Sequence, residues 1–353
     1  MRTIAIKTGK PYTVKLEQDA LSQFVPLFQE VYGQRRPKLA IVTDDTVQAL
    51  YAERLQQLLR RAGYETCCFA FAHGEASKQL STVNEVYRFL FAESITRSDV
   101  IIALGGGVVG DLAGFAAATW LRGIDFIQVP TTFLSMIDSS VGGKTGVDTS
   151  FGKNLVGAFW QPTLVVCDPL TLETLPDEYY RDGIAEAIKD GAIMDAELFA
   201  IMERGQLKER LLDVIERCID LKREVVEADE RDHGVRQWLN FGHTLGHAVE
   251  KESNFCISHG KGVSIGMALV CAAAENAGIT PAGTGARIAA CCAQYQLPTT
   301  TDIPLKTLCT HALGDKKRKG ANLTLVVLEQ LGKAALHTLP TDALLSFLEG
   351  SHV

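Results

Sequence analysis

The chain has 353 residues, 46% of them apolar and 22% charged, with a formal charge of −7 at pH 7. That length exceeds what one ordinary hydrophobic core organises and points to two domains, and the composition is that of a globular protein. The acidic balance argues against nucleic acid as the main partner, and the longest apolar run, near 262–274, is broken by Ser264 and two glycines and is too short to span a bilayer.

Residues 1–7 alternate like a strand and carry no secretory apolar block. Residues 3–8 and 11–16 read as a hairpin around Gly9-Lys10. An apolar strand over 38–44 ends in Asp44, and a helix over 47–62 should follow. A strand over 65–72, a helix over 83–93 and a buried strand over 99–104 come next, the last running into glycines. Short strands are expected at 125–130 and 163–167. Such alternation predicts an α/β fold, a Rossmann-like, mostly parallel sheet covered by helices. After Asp168-Pro169 the pattern changes to long stretches of helical period, from about 179 to 292, with one β-rich run at 323–328. The expected organisation is an α/β domain over 1–165 and a mainly α-helical domain over 166–353, with the boundary in the stretch 162–176, where three prolines fall. Nine cysteines at irregular spacings form no CxxC pair, so neither a zinc ribbon nor a disulfide framework is expected, and a reduced cytoplasmic setting fits.

Gly105, Gly107 and Gly110 form GxGxxG between a strand and a helical stretch. Glycines let a backbone approach a pyrophosphate, and a helix N-terminus offers free N–H groups; alone, the same glycines serve a tight turn equally well. The acid that usually binds ribose about 20 residues further on has no good match, because Asp125 begins a strand. Asp44, at a strand end, is the better candidate. A second glycine loop, 138–145, fails the Walker pattern because Asp138 stands where a glycine is required. It leaves one acid and Lys144, soon followed by Gly152-Lys153-Asn154, a grouping suited to phosphate or carboxylate.

Arg236, Asn240, His243 and His247 are spaced 4, 3 and 4 apart, which on one helix gives a single polar face beside Trp238, Phe241, Leu245 and Val249. Thr244 follows His243 where a zinc peptidase needs glutamate. His259, and Glu186 in an otherwise apolar helical stretch, complete a set able to hold a divalent metal with open positions. The plain alternative has the histidines hydrogen-bonded in a core and Glu186 paired with Lys189. Spacing does not say which two of the three histidines would bind a metal, nor whether it is zinc or cobalt.

From about Gly74 to Gly332 the chain resembles the 3-dehydroquinate synthase family. The resemblance rests on Gly74-Glu75 with Lys78, GGGVVGD at 105–111, RGIDFIQVPTT at 122–132, DSSVGGKTGVD at 138–148, GKNLVGAFWQP at 152–162, AEAIKDG at 185–191, LNFGHTLGHAVE at 239–250 and SHGKGVSIGM at 258–267. Ala103-Leu104 and Lys261 depart from the family's usual residues. The resemblance implies an NAD-binding N-terminal domain, a metal-binding C-terminal domain and a homodimer. It makes Glu186, His243 and His259 the metal ligands and leaves His247 as an acid–base group. Asp44, Glu75, Lys78, Gly107, Val108, Val109, Gly110, Asp111, Thr131, Thr132, Thr171 and Thr174 would contact NAD, with Lys144 and Lys153 near the nicotinamide and substrate. Asp138, Arg122, Asn154, Lys189, Lys222, Arg236 and Asn240 would surround the substrate, joined by a lysine of the 315–317 run, Lys316 or Lys317.

The implied substrate, 3-deoxy-D-arabino-heptulosonate 7-phosphate, carries a carboxylate and a phosphate at opposite ends, which accounts for basic residues in an acidic chain. Arg236 and Lys316 would pair with one end, and Lys153, Asn154 and Arg122 with the other. Transient oxidation at C5 acidifies the C6 proton, phosphate leaves, the hydride returns, the ring opens, and an aldol closure gives 3-dehydroquinate, a shikimate-pathway step. His247 or Lys189 would shuttle protons. Three rivals share parts of the pattern. An inosose or valiolone cyclase would not need Arg236 and Asn240 for a carboxylate. A polyol dehydrogenase would not need the many lysines. A binding module without catalysis would not need buried metal ligands.

Overall fold

Ile4, Ile6, Val14 and Leu16 are buried at every second position of two short segments, and that period makes them strands. β1 (Arg2–Ile6) and β2 (Tyr12–Leu16) pair antiparallel, as expected for the 3–16 hairpin. A computed structural model describes residues 1–232, 234–313, 318–319 and 321–350. β3 (Leu39–Asp44), β4 (Thr66–Phe71), β5 (Val100–Gly105) and β6 (Asp125–Pro130) follow, then β7 (Lys144–Thr149), β8 (Gly152–Phe159) and β9 (Leu164–Cys167). Seven of them form one sheet in the order β1-β2-β9-β6-β5-β3-β4, parallel at every pairing except β1 with β2.

Both faces of this sheet are buried, which is why its strands read as continuous apolar runs. Ile41, Ile102 and Ile127 pack with Phe24, Phe28, Leu55 and Leu59 on one face. Val42, Ile101 and Phe126 pack with Val86, Leu90, Val109 and Leu112 on the other. The helix expected over 47–62 forms as Asp45–Val47, a wider turn at Gln48–Ala52 and Glu53–Arg61. Asp44 starts it by accepting from the Val47 amide at 2.8 Å.

Residues 138–154, read from the sequence as glycine loops, instead carry most of an antiparallel hairpin of β7 and β8. Val147 is buried, but glycines at 142, 143, 146, 152 and 157 leave no side chains to mark the faces, so the period of two is hidden.

By internal contacts the chain divides into Met1–Leu175 with Lys222–Arg231, and Pro176–Leu221 with Asp232–Val353. The division falls within the proline-bearing stretch 162–176. The second unit is mainly helical, with helices at Asp177–Met194, Ala196–Glu203, His243–Glu252, His259–Asn276, Thr284–Gln294 and Leu305–Leu313. The helix Leu211–Ala228 begins in it and ends among residues counted with the first unit. A small antiparallel sheet of β10 (Arg318–Lys319), β11 (Asn322–Gln330) and β12 (Lys333–Pro340) completes it. β12 was not evident beforehand because Lys, Ala and His are poor strand formers; pairing with β11 across a turn at Gly332, φ +82°, makes it a strand.

The polar stripe expected on one helix is divided. Arg236 and Asn240 lie on a 3-10 turn, Val235–Asn240, and the α-helix begins only at His243. Gly242 stands between them with φ +76°, where a Cβ would come within 2.6 Å of Met267 Cγ and 2.7 Å of the Val263 carbonyl. Close packing on the helix His259–Asn276 therefore overrides the helical spacing. Among the described residues, no helix is long and apolar enough to cross a membrane.

Candidate metal and nucleotide sites

In the second unit three helices supply the candidate metal ligands. Glu186 lies in the middle of Asp177–Met194, whose residues 182–193 are all buried, and is itself 1% exposed. His243 opens one helix and His259 opens another. These two helices approach backbone to backbone, since a Cβ on Gly246 would stand 2.9 Å from the Gly262 carbonyl carbon and oxygen. That contact brings the rings of His243 and His259 to 5.2 Å between centroids.

Each imidazole is held by one nitrogen and presents the other. His243 Nδ1 bonds the Phe241 carbonyl at 3.1 Å, and His259 Nδ1 bonds Glu250 Oε1 at 2.9 Å. Their Nε2 atoms lie 3.4 and 3.3 Å from Glu186 Oε1. That oxygen is buried and has no hydrogen-bond partner, while Oε2 takes the Lys189 ammonium. The pairing with Lys189 is thus present on Oε2, while Oε1 is left facing the two histidines.

An unbonded buried carboxylate oxygen facing two imidazole nitrogens is costly, and a divalent cation is the species that relieves it. The donor atoms lie within 4.8 Å of one another, so the three residues fit such an ion. The charges are strongly coupled. Burial pulls the Glu186 carboxyl upward, but Lys189 and the two histidines outweigh it and hold it well below its usual range. Burial drives His243 well below the usual imidazole value against the pull of Glu186. For His259 burial also acts downward, yet Glu186 and Glu250 win and raise it to about 10.

The other predicted residues of this unit lie on the same elements or near them in sequence. Lys189 is buried, 3.5 Å from Asp190 as well as on Glu186. Arg236 is 2% exposed, and Asn240 donates to the Gln237 carbonyl at 3.1 Å. His247 is exposed, with its ring 5.4 Å from His243. Lys316 lies outside the described residues.

In the first unit the predicted residues gather at the C-terminal ends of the parallel strands, where open α/β sheets bind ligands. Asp44 ends β3, Gly105 to Gly107 end β5, Thr131 and Thr132 follow β6, and Thr171 and Thr174 follow β9. The helix Gly107–Thr119 starts at the glycine turn; its Val108 is half-buried and its Val109 buried. Gly110 lets it lie on β6, because a Cβ there would be 2.6 Å from Gln128 Oε1. Lys78 Nζ reaches Asp111 Oδ2 and Asn154 Oδ1, each at 2.7 Å. Burial lowers the Lys78 ammonium, but Asp111 and Glu75 more than restore it, so its net shift is upward. Lys153 lies 3.7 Å from Glu75, and Lys222 pairs with Asp138. Lys144 is exposed at the start of β7.

Arg122 is not brought to this cluster. It precedes β6, beyond the end where Asp125 pairs with Val100, whereas Gly105 lies opposite Pro130 at the other end. The strand between separates them by about 17 Å.

Three contributors were missed. Glu250 stands seven residues after His243 and three after His247, and that placement is the available sequence signal. Asp182, four residues before Glu186, accepts from Ser258 Oγ at 2.7 Å and the Gly260 amide at 2.8 Å, fixing the helix start that carries His259. Tyr51 bonds the Thr171 carbonyl at 3.2 Å and Thr174 Oγ1 at 2.5 Å; no sequence signal marks it.

Residues 68–182 match the family model described as 3-dehydroquinate synthase N-terminal, and residues 183–318 match its C-terminal counterpart. A 3-dehydroquinate synthase of Streptococcus suis is 46% identical over 96% of this chain and 97% of its own. One of Enterococcus faecalis is 44% identical over 98% of each. Among solved structures, 2-epi-5-epi-valiolone synthase from Streptomyces hygroscopicus, with NAD+ and Zn2+ bound, superposes with a TM-score of 0.87 at 27% identity over 100% of both chains.

Proposed function

The chain belongs to the 3-dehydroquinate synthase family, and from that premise we propose which of its side chains carry the reaction. Its activity is that of the family, conversion of 3-deoxy-D-arabino-heptulosonate 7-phosphate to 3-dehydroquinate and phosphate, with NAD and a divalent metal as cofactors. When bound, NAD would supply transient oxidation at C5, and a metal held by Glu186, His243 and His259 would polarise substrate oxygens.

Glu186, His243 and His259 hold the metal. The observation that carries this assignment is the buried, unbonded Glu186 Oε1 facing two Nε2 atoms. Lys189 keeps Glu186 ionised through Oε2 and, with His247, moves protons as the ring opens. Arg236 pairs with the substrate carboxylate, its planar fork matching the two oxygens, and Asn240 supports it. In the first unit Asp44 takes the ribose, and the glycine turn with the N-terminus of its helix takes the pyrophosphate. Lys78 and Asp111 brace that turn. Glu75, Thr131, Thr132, Thr171 and Thr174 complete the nucleotide contacts. Asp138, Lys144, Lys153, Asn154 and Lys222 orient the phosphorylated substrate, with Lys316 as a further anion contact. The same reading makes the enzyme a cytoplasmic homodimer, a state that analytical ultracentrifugation tests.

The deciding experiment follows phosphate, NADH and ring product together, with purified protein, the heptulosonate phosphate, NAD and zinc or cobalt. Equal phosphate and 3-dehydroquinate with no net NADH is expected. NADH accumulating without phosphate would instead make the chain a polyol dehydrogenase.

A further inference from the structure

His259 is fixed at two points. Its backbone sits at a helix start pinned by Asp182, through Ser258 Oγ and the Gly260 amide. Its ring is turned by Glu250, which accepts from Nδ1 at 2.9 Å and so leaves Nε2 facing Glu186. Glu250 is 4% exposed, and its stem packs where the two helices meet, with Glu250 Cγ 3.2 Å from the place a Cβ on Gly262 would occupy. A carboxylate buried in that way, on the outer nitrogen of an imidazole, does two things. It fixes the tautomer with hydrogen on Nδ1, and it makes Nε2 a better donor.

His247, Glu250 and His259 also have donor atoms within 4.8 Å of one another. An ion there would compete with the hydrogen bond between Glu250 and His259, and it would sit beside an exposed imidazole. The hydrogen bond to His259 is the simpler use of Glu250.

Resting on the metal assignment proposed above, we infer that Glu250 is a positioning residue: it orients His259 for metal binding without touching the ion. Zinc is titrated into metal-free protein against a chromophoric chelator, for the unmodified chain, Glu250→Gln and Glu250→Ala, with melting temperatures of the metal-free forms measured alongside. One equivalent of zinc should bind the unmodified chain. Glu250→Ala should weaken zinc roughly 10–100-fold, and Glu250→Gln should weaken it less, because the amide oxygen still accepts from Nδ1. A lowered melting temperature with unchanged zinc affinity would overturn the inference and leave Glu250 a structural residue. A second equivalent of zinc that Glu250→Gln removes would also overturn it, since Glu250 would then be a ligand. If the unmodified chain binds no zinc, the metal assignment itself falls; if it binds and both variants bind equally, only the role of Glu250 falls. A long-range proton–nitrogen spectrum of the zinc-loaded unmodified protein needs no variant. It should show His259 protonated at Nδ1 and zinc-bound at Nε2, and the opposite tautomer would refute the inference.

Discussion

The two regions proposed to carry the chemistry are built differently. The metal group sits on three helices, and its charges are interlocked in the interior: Glu186 bears Lys189 on one oxygen and faces two histidines with the other. The group proposed to hold the nucleotide in the first unit is assembled from strand ends, turns and a hairpin, and its ion pairs range from the largely buried Lys78 with Asp111 to Lys153 with Glu75, about a third to a half exposed. The difference teaches where folding and function are coupled. Removing a charge from an interlocked interior set leaves its partner stranded, whereas removing one from a strand-end loop mainly costs the ligand.

The sharpest way to break this comparison is Glu186→Gln. It should abolish stoichiometric zinc and also strand the buried Lys189, a loss of about 3–5 kcal/mol for one partner of a buried pair. Metal analysis and thermal melts of the metal-free protein measure the two effects separately. A variant that melts normally and still binds one zinc would refute both the metal centre and the coupling.

Arg236→Ala asks whether burial alone makes a residue structural. Arg236 is as buried as Lys189, yet it stands on a short 3-10 turn outside the metal group. The expected cost appears in substrate binding, about 1.5–3 kcal/mol for a charged hydrogen-bonded contact, with NAD affinity retained. Calorimetric titrations of NAD and of the heptulosonate phosphate decide it. An equal loss of NAD affinity would show the residue to support the fold instead.

The first unit offers a parallel test on a buried pair of its own. Lys78→Met removes the ammonium that joins Asp111 and Asn154 while keeping a similar stem. NAD should bind about tenfold more weakly, near 1.4 kcal/mol, and bound zinc should not change. Parallel loss of zinc would mean that the two groups are not energetically separate.

The same contrast governs what could be read beforehand. The parallel sheet was legible because both of its faces are buried, which writes apolar runs such as 99–104 into the sequence. Glu186 was legible as an acid in an otherwise apolar helical stretch, and His243 and His247 by their spacing on one helix face. What stayed hidden depends on backbone contact. Gly242 breaks the stripe from Arg236 to His247 because Met267 and Val263 lie against it, and no spacing rule reports that. The hairpin of β7 and β8 was masked by its glycines. Arg122 reads as a neighbour of 125–132 along the chain, but the direction of β6 carries it to the far end of the sheet. Glu250 lay in plain view at helical spacing from His243; its meaning came only when His259 closed on it from another helix.

The smallest effect tests whether the distinction belongs to the units or to burial. Glu203 and Arg287, on the surface of the second unit, form two hydrogen bonds of 2.8 Å. Those bonds from Arg287 hold the Glu203 carboxyl below its ordinary range, with burial opposing them weakly. A depressed carboxyl stabilises the fold above its unfolded pKa, about 4.3 for glutamate, and that contribution is lost as pH falls through the folded value. Because the pair is exposed, Glu203→Gln should cost less than about 1 kcal/mol at pH 7. The difference in melting temperature from the unmodified chain should vanish in acid and shrink in high salt. If this exposed pair cost as much as Glu186→Gln, the helical unit as a whole would be unusually sensitive to charge. A small, salt-dependent difference would instead show that sensitivity follows burial, and that the metal group is vulnerable because its charges share one interior oxygen pair.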